Sequence, residues 1–147
     1  MHNVGSIFRT ADAAGVFRIL LSGYTPAPVD RFGRKRSDFT KVSLGAEKTV
    51  PWSQVQQLTP TLRRLKKEGH AVLAVEQDSR SISLFNWKLK DPAQPIVLVL
   101  GNEVRGLSTK VLKETDAILE IPMHGKKESL NVSVTAGIAL FVLLGMK

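Results

Sequence analysis

Apolar residues recur every three to four positions from Val4 through Ile7, Phe8 and Ala11 to Ala14, the repeat of a helix that lays one face on a core. Asn3 can cap its start and Gly15 its end. Val16–Ser22 (VFRILLS) reads as a strand, and Gly23–Gly45 as a long polar loop; loops of that length in a compact domain are usually functional or disordered. Thr49–Trp52 is a short strand candidate. Ser53 and Gln56 have capping-box spacing, with Pro60 in the first turn of a helix that ends at Gly69. His70–Glu76 is strand-like, and Ile96–Leu100 (IVLVL) is the continuous apolar run of a strand buried on both faces. Ser108 can cap a short helix to Thr115, Ala117–Ile121 is a further strand, and Leu130–Leu144 is a largely apolar final helix. Strands alternating with helices predict a three-layer α/β domain with a mostly parallel sheet.

Size and composition are consistent with this: 147 residues suit one domain, with enough core to need no disulfide or metal staple. The chain has no cysteine, which excludes thiol nucleophiles, Cys–zinc sites and iron–sulfur clusters from its own residues and suits a reducing cytoplasm. No apolar run reaches the roughly 20 residues of a bilayer span. Met1 to Gly5 lacks the basic n-region of a signal peptide.

Charge alters the picture more. Twenty-one Lys and Arg against 13 Asp and Glu give +8, and such an excess calls for an anionic partner, nucleic acid before a membrane surface. The excess is concentrated in Asp30–Lys41, where Arg31, Arg34, Lys35, Arg36 and Lys41 outnumber Asp30 and Asp38 and are interleaved with Phe32 and Phe39. Basic residues among aromatics suit phosphates and unstacked bases. A second cluster, Arg63, Arg64, Lys66 and Lys67, falls on a helix and reads as a solvated face.

In open parallel sheets ligands bind beyond the carboxyl ends of the strands. Two loops sit there: Gly101–Gly106 after IVLVL, and Pro122–Asn131 after the next strand. Gly101 and Gly106 have P-loop spacing, but Leu107-Ser108 follows in place of Lys-Ser/Thr, which argues against a nucleoside-triphosphate site. There is no G-x-G-x-x-G. His2, His70 and His124 lie apart without metal-ligand spacing, so no metal is expected. Glu103 reads as a loop anchor or a residue before the short helix, and Arg9 as an ion-pair partner of Asp12 at i+3.

Three segments together resemble the SpoU/TrmH family of RNA ribose 2′-O-methyltransferases in the SPOUT superfamily. They are Asn3-Val4-Gly5-Ser6-Ile7-Phe8-Arg9-Thr10-Ala11-Asp12-Ala13, Leu98-Val99-Leu100-Gly101-Asn102-Glu103-Val104-Arg105-Gly106-Leu107-Ser108, and Ile121–Gly125 with Ser129-Leu130-Asn131-Val132-Ser133-Val134-Thr135-Ala136-Gly137. Leu44-Gly45-Ala46-Glu47-Lys48 is similar too. The resemblance implies a C-terminal trefoil knot, a fold that topology rules would not anticipate. It implies S-adenosylmethionine bound in the knot by Leu100, Gly101, Ile121, Met123 and Leu130, mostly through backbone groups. It assigns catalysis to Arg9, Glu103, Ser129 and Asn131. RNA is expected on Asn3, Arg31, Arg34, Lys35, Arg36 and Lys41. A homodimer with the first and last helices at its interface is implied, with each site completed across it.

The same resemblance implies a strand before the first motif. Because Met1 lies almost on that motif, the expectation is a single methyltransferase domain, residues 1–147, lacking its first strand and any N-terminal RNA-recruitment domain. The function implied is methyl transfer to a ribose 2′-hydroxyl of tRNA or rRNA, in the cytoplasm, with neither membrane nor DNA as partner. The alternative is a basic RNA-binding module of the same fold without catalysis; cofactor binding separates the two. A small-molecule enzyme on a related frame leaves the basic loop unexplained.

Overall fold

The computed structural model describes residues 1–102 and 104–146. The chain divides into two compact units, Met1–Gln57 and Leu58–Lys147.

In the first unit, α1 (His2–Ala13) packs on α2 (Ser37–Ser43) and α3 (Ala46–Thr49), and β1 (Ile19–Ser22) pairs in parallel with β2 (Trp52–Val55). The 3–4 repeat gives α1 its inner face, with Phe8 and Ala11 buried. Phe8 meets Phe39 edge-to-face, 5.3 Å between centroids, an arrangement aromatic quadrupoles favour. Gly5 lets α2 approach: a Cβ there would lie 3.0 Å from Val42 Cβ. At the end of α1, Gly15 takes φ +68°, its N–H reaches Asp12 O, and Val16 N–H reaches Ala11 O. These two bonds form a Schellman motif, which needs glycine at the left-handed position.

Several expectations are corrected here. Met1, not Asn3, precedes the helix, and Asn3 lies within it. The long loop is partly helical, because Phe39 is fully buried and draws α2 onto α1. Ser53 starts no helix. It lies in β2 opposite Leu20, where the strand pairing takes precedence over the capping-box pattern.

The second unit carries four parallel strands in the order β4-β6-β3-β5. They are β3 (Ala71–Val75), β4 (Ile82–Ser83), β5 (Ile96–Leu100) and β6 (Ala117–Glu120). Three helices accompany them: α4 (Leu58–Lys67), α5 (Thr109–Leu112) and α6 (Val132–Leu143). The period-two alternation of a strand sorts the core into two faces. Leu73, Val75 and Leu119 cluster with Ala139, Ile138 and Val142 of α6. Val72 and Val99 cluster with Leu62 of α4 and Val111 of α5, while Ala74 and Ile118 meet Leu112. This unit therefore has the expected three layers. The strand buried on both faces is β3, with all five residues buried, whereas β5, despite its apolar run, ends the strand order and is mostly half-buried.

Candidate functional site

Because the strands are parallel, the loops after β5 and β6 leave the same end of the sheet. The two loops follow strands that are consecutive among the long ones in the sequence, yet those strands are not neighbours in the sheet. β3 lies between them, which sets the two strand ends about 10 Å apart. Leu100 and Gly101 stand at the end of β5, and Ile121 and Met123 follow β6; all four are half-buried. Leu100 and Ile121 pack on the sheet core. Leu130 is 38% exposed. Among the described residues, the peptide groups of Ile121 and Met123 make no backbone hydrogen bond. Apolar side chains beside free peptide groups are a donor set that fits an adenosine.

The first loop is held tightly. Gly106 N–H donates to Asn102 O at 2.8 Å, and Asn102 Oδ1 accepts from Val104 N–H at 2.9 Å and Arg105 N–H at 3.2 Å. A Cβ on Gly101 would meet Gly106 C at 2.7 Å and Leu107 N at 2.9 Å. Both are backbone atoms that cannot swing aside, so Gly101 is required by the loop itself. Gly106 has φ +59°, and a Cβ there would fall on Glu76 Oε2 and 3.1 Å from its Cδ. Glu103 lies outside the described residues.

Two residues that sequence reasoning missed connect the loops. Glu76 and Gln77 directly follow β3. Glu76 N–H continues the ladder to Leu119 O at 3.0 Å, and Glu76 Oε2 accepts from Leu107 N–H at 2.9 Å. Gln77 Nε2 donates to Glu128 O in the second loop. Nothing local in the sequence marks either residue, because their partners lie 31 and 51 residues further along the chain.

Asn131 caps α6, its Oδ1 accepting from Ser133 N–H at 2.9 Å and from Ser133 Oγ at 2.6 Å. Ser129 is exposed in the loop before it. These two residues and the cofactor set all belong to the second unit; Arg9 and the basic segment belong to the first. Arg9 is exposed on α1, and its side chain, among the described residues, has no ion pair or hydrogen bond. The expected pairing with Asp12 is absent: Asp12 Oδ1 accepts from Thr49 Oγ1 at 2.6 Å instead.

The basic segment is a built turn. Val29 bridges Lys35, and Asp30 Oδ1 accepts from Phe32 N–H and Arg34 N–H at 2.8 and 3.0 Å. Arg34 Nε donates to Asp30 Oδ2 at 2.8 Å. These bonds, led by the Arg34 N–H, together with the nearby Arg36 charge hold the Asp30 carboxyl below its usual range. At the tip Phe32 is 66% exposed, with the Arg31 and Arg34 guanidinium groups 4.7 and 5.1 Å from its centroid. Of the two expected aromatics, only Phe32 can meet a ligand.

A sequence model of the SpoU rRNA Methylase family matches residues 1–141, through both units. The chain belongs to the SpoU rRNA methylase family. Relatives of this SpoU chain include a protein of Neisseria meningitidis serogroup B named 23S rRNA (guanosine-2′-O-)-methyltransferase RlmB, 37% identical over 139 residues, 95% of this chain and 52% of the relative. The AdoMet-bound rRNA methyltransferase of Sinorhizobium meliloti superposes with a TM-score of 0.83 at 30% identity, over 96% of this chain and 50% of that one. The TrmH/SpoU tRNA modifying enzyme of A. aeolicus gives 0.80 at 30% identity, over 96% and 66%. The chain spans about half the length of the curated relatives it matches. Among the described residues, no group of acids and histidines could hold a metal ion, and no helix is long and apolar enough to cross a membrane.

Proposed function

We propose that this SpoU chain transfers a methyl group from S-adenosylmethionine to a ribose 2′-hydroxyl of rRNA or tRNA. The observation that carries the reading is the pair of braced loops at the carboxyl ends of β5 and β6, with peptide groups at Ile121 and Met123 that, among the described residues, make no backbone hydrogen bond and lie beside apolar side chains. The rRNA 2′-O-methyltransferase name of a 37% identical relative supports the reaction. The AdoMet-bound structural relative supports the donor.

Bound S-adenosylmethionine would supply an electrophilic methyl on its sulfonium sulfur. Leu100, Gly101, Ile121, Met123 and Leu130 would hold it, mostly through peptide groups. The chain's own residues then have two tasks: to align the ribose oxygen with the methyl and to favour the oxygen as its proton leaves. Arg9 stays charged, because a guanidinium is not deprotonated in proteins. It acts by holding the neighbouring phosphate and stabilising the developing alkoxide. Asn131 and Ser129 orient the second loop, and Glu103 fixes the first. Asn3 and the turn with Arg31, Arg34, Lys35, Arg36 and Lys41 hold RNA; the exposed Phe32 between two guanidinium groups supports that role.

The single-domain reading, residues 1–147, belongs to the same proposal, supported by a family match that runs through both units. So does the trefoil knot, supported by β6 lying between β3 and β4 although it is the last strand in the chain. A homodimer is supported by α6, which is apolar all round yet leaves Val134 49% and Phe141 39% exposed; a helix with no polar face is normally covered. The RNA substrate supports a cytoplasmic location.

Titration calorimetry with S-adenosylmethionine tests the reading against an inactive RNA-binding module. One-site binding, lost in Gly101→Val, is expected; a folded chain that gives no heat would favour the module.

A further inference from the structure

We propose that a cleft at the amino-terminal ends of β3 and β6 binds an unpaired nucleotide of RNA, its base against Trp87 and its phosphate on Lys88 and Lys90. The proposal rests on the RNA reading above but concerns the opposite end of the sheet from the methyl-donor loops. The cleft has a volume of about 370 Å³, and its walls include Lys66, His70, Trp87, Lys88, Lys90 and Asp116. That volume falls in the range of small-ligand sites.

The charge of the walls selects an anion. Asp116, the cleft's acid, is already engaged: Oδ1 pairs with Lys66 Nζ at 2.8 Å, and Oδ2 accepts from Val72 N–H at 2.8 Å. Lys88 and Lys90 are exposed and, among the described residues, make no ion pair. Two ammonium groups therefore face a cleft with no acid left to neutralise them.

The remaining walls select a nucleotide over a bare phosphate. Trp87 is half-buried and packs against the core cluster of Leu73 and Leu119, so its ring is fixed and ready to stack. Bases stack on such rings whatever their sequence. His70 Nδ1 donates to Leu65 O at 3.1 Å, which leaves Nε2 of a neutral ring as an acceptor. Gln94 is held by its Nε2 donating to Gly69 O at 3.0 Å, and its amide oxygen adds a second acceptor for base or ribose.

Position assigns the role. Ala71 begins β3 and lines the cleft, whereas Glu76 follows the strand and braces the donor loop. Five strand residues separate the two ends by about 16 Å. A nucleotide in the cleft is therefore not the one that reacts; it fixes the register of the RNA.

The chain has two tryptophans, Trp52 and Trp87, so Trp52→Phe leaves Trp87 as sole reporter. Titration of this variant with pentauridylate should quench its emission to saturation. The Lys88→Ala/Lys90→Ala pair should weaken the quench and reduce the slope of log affinity against log salt by about 0.7, the share of the one phosphate contact that the two lysines make. Both lysines are exposed, so thermal unfolding should be unchanged, as should the heat of S-adenosylmethionine binding. Absence of quenching, or quenching indifferent to the two lysines, overturns the cleft. Stronger quenching by polyglutamate than by pentauridylate also overturns it, in favour of an acidic peptide. Donor binding without quenching refutes only this inference. Quenching without donor binding refutes the methyltransferase reading and leaves the cleft standing.

Discussion

Gly106→Ala tests the bracing of the donor loop quantitatively. Two costs arise. At φ +59° a side chain enters the left-handed region, worth about 1–2 kcal/mol. The new Cβ would also lie on Glu76 Oε2 and 3.1 Å from its Cδ. A carboxylate is the far end of a flexible side chain and can move, but it then abandons the 2.9 Å bond from Leu107 N–H. A hydrogen bond to a charged group is worth about 1.5–3 kcal/mol, and Glu76 is half-buried, so the lower figure applies. The sum is about 3 kcal/mol.

Glu76→Ala alone removes the bond and costs about 1.5 kcal/mol. In that background the added Cβ meets no carboxylate, and Gly106→Ala should cost only its backbone share of about 1–2 kcal/mol. The two substitutions are therefore predicted to couple by about 1.5 kcal/mol in a double-mutant cycle, well outside the additivity of independent sites. Urea unfolding followed by Trp87 emission in the Trp52→Phe background reads the stabilities, and calorimetry with S-adenosylmethionine reads the consequence for the site. Additive costs would refute the brace.

Arg9→Ala should slow transfer by roughly 10²–10³ while leaving donor binding intact, as expected for loss of an oxyanion partner; Arg9→Lys at the wild-type rate would exclude a bidentate role. The Asp30 carboxyl titrates below the ordinary aspartate range when folded, so the order it gives the Arg31–Lys35 turn is fully present above about pH 4. That order is lost as pH falls through the lower folded value; ¹⁵N relaxation of the Phe32 and Arg34 amides should show this, and Asp30→Asn should loosen the turn at every pH. Asp78 is held down to about 2, chiefly by the Arg80 side chain, so its contribution should survive at pH 4 and disappear between there and about 2 in acid titrations. Phe141→Asp should convert the proposed dimer to monomer in sedimentation; a wild-type chain that is already monomeric would remove that part of the account.

The strand–helix alternation and the three layers of the second unit were legible because each depends on local period and on glycines that end helices, as at Gly15 and Gly69. Burial was less legible. Ile96–Leu100 looks more central than Ala71–Val75, yet the order β4-β6-β3-β5 puts β3 inside the sheet and β5 at its edge, and strand order is a non-local property. β4 has two residues, too few for any period to register. Phe39 read as a basic-loop aromatic because nothing local marks its edge-to-face contact with Phe8. Gly101 was legible as a place needing no side chain, although the obstacle is the loop's own backbone at Gly106 and Leu107. Glu76 and Gln77 were not legible, because their partners lie 31 and 51 residues further along the chain.

The central claim is that the methyl reaches a ribose oxygen. RNA hydrolysed by alkali is cut through attack of the 2′-oxygen, so a 2′-O-methyl group leaves an alkali-resistant dinucleotide. Incubating the chain with methyl-labelled S-adenosylmethionine and unmethylated rRNA and tRNA, then digesting with alkali, should place the label in such dinucleotides, with Arg9→Ala giving little. Label in mononucleotides would put the methyl on a base and contradict the account, and so would a chain that binds the donor yet labels neither RNA.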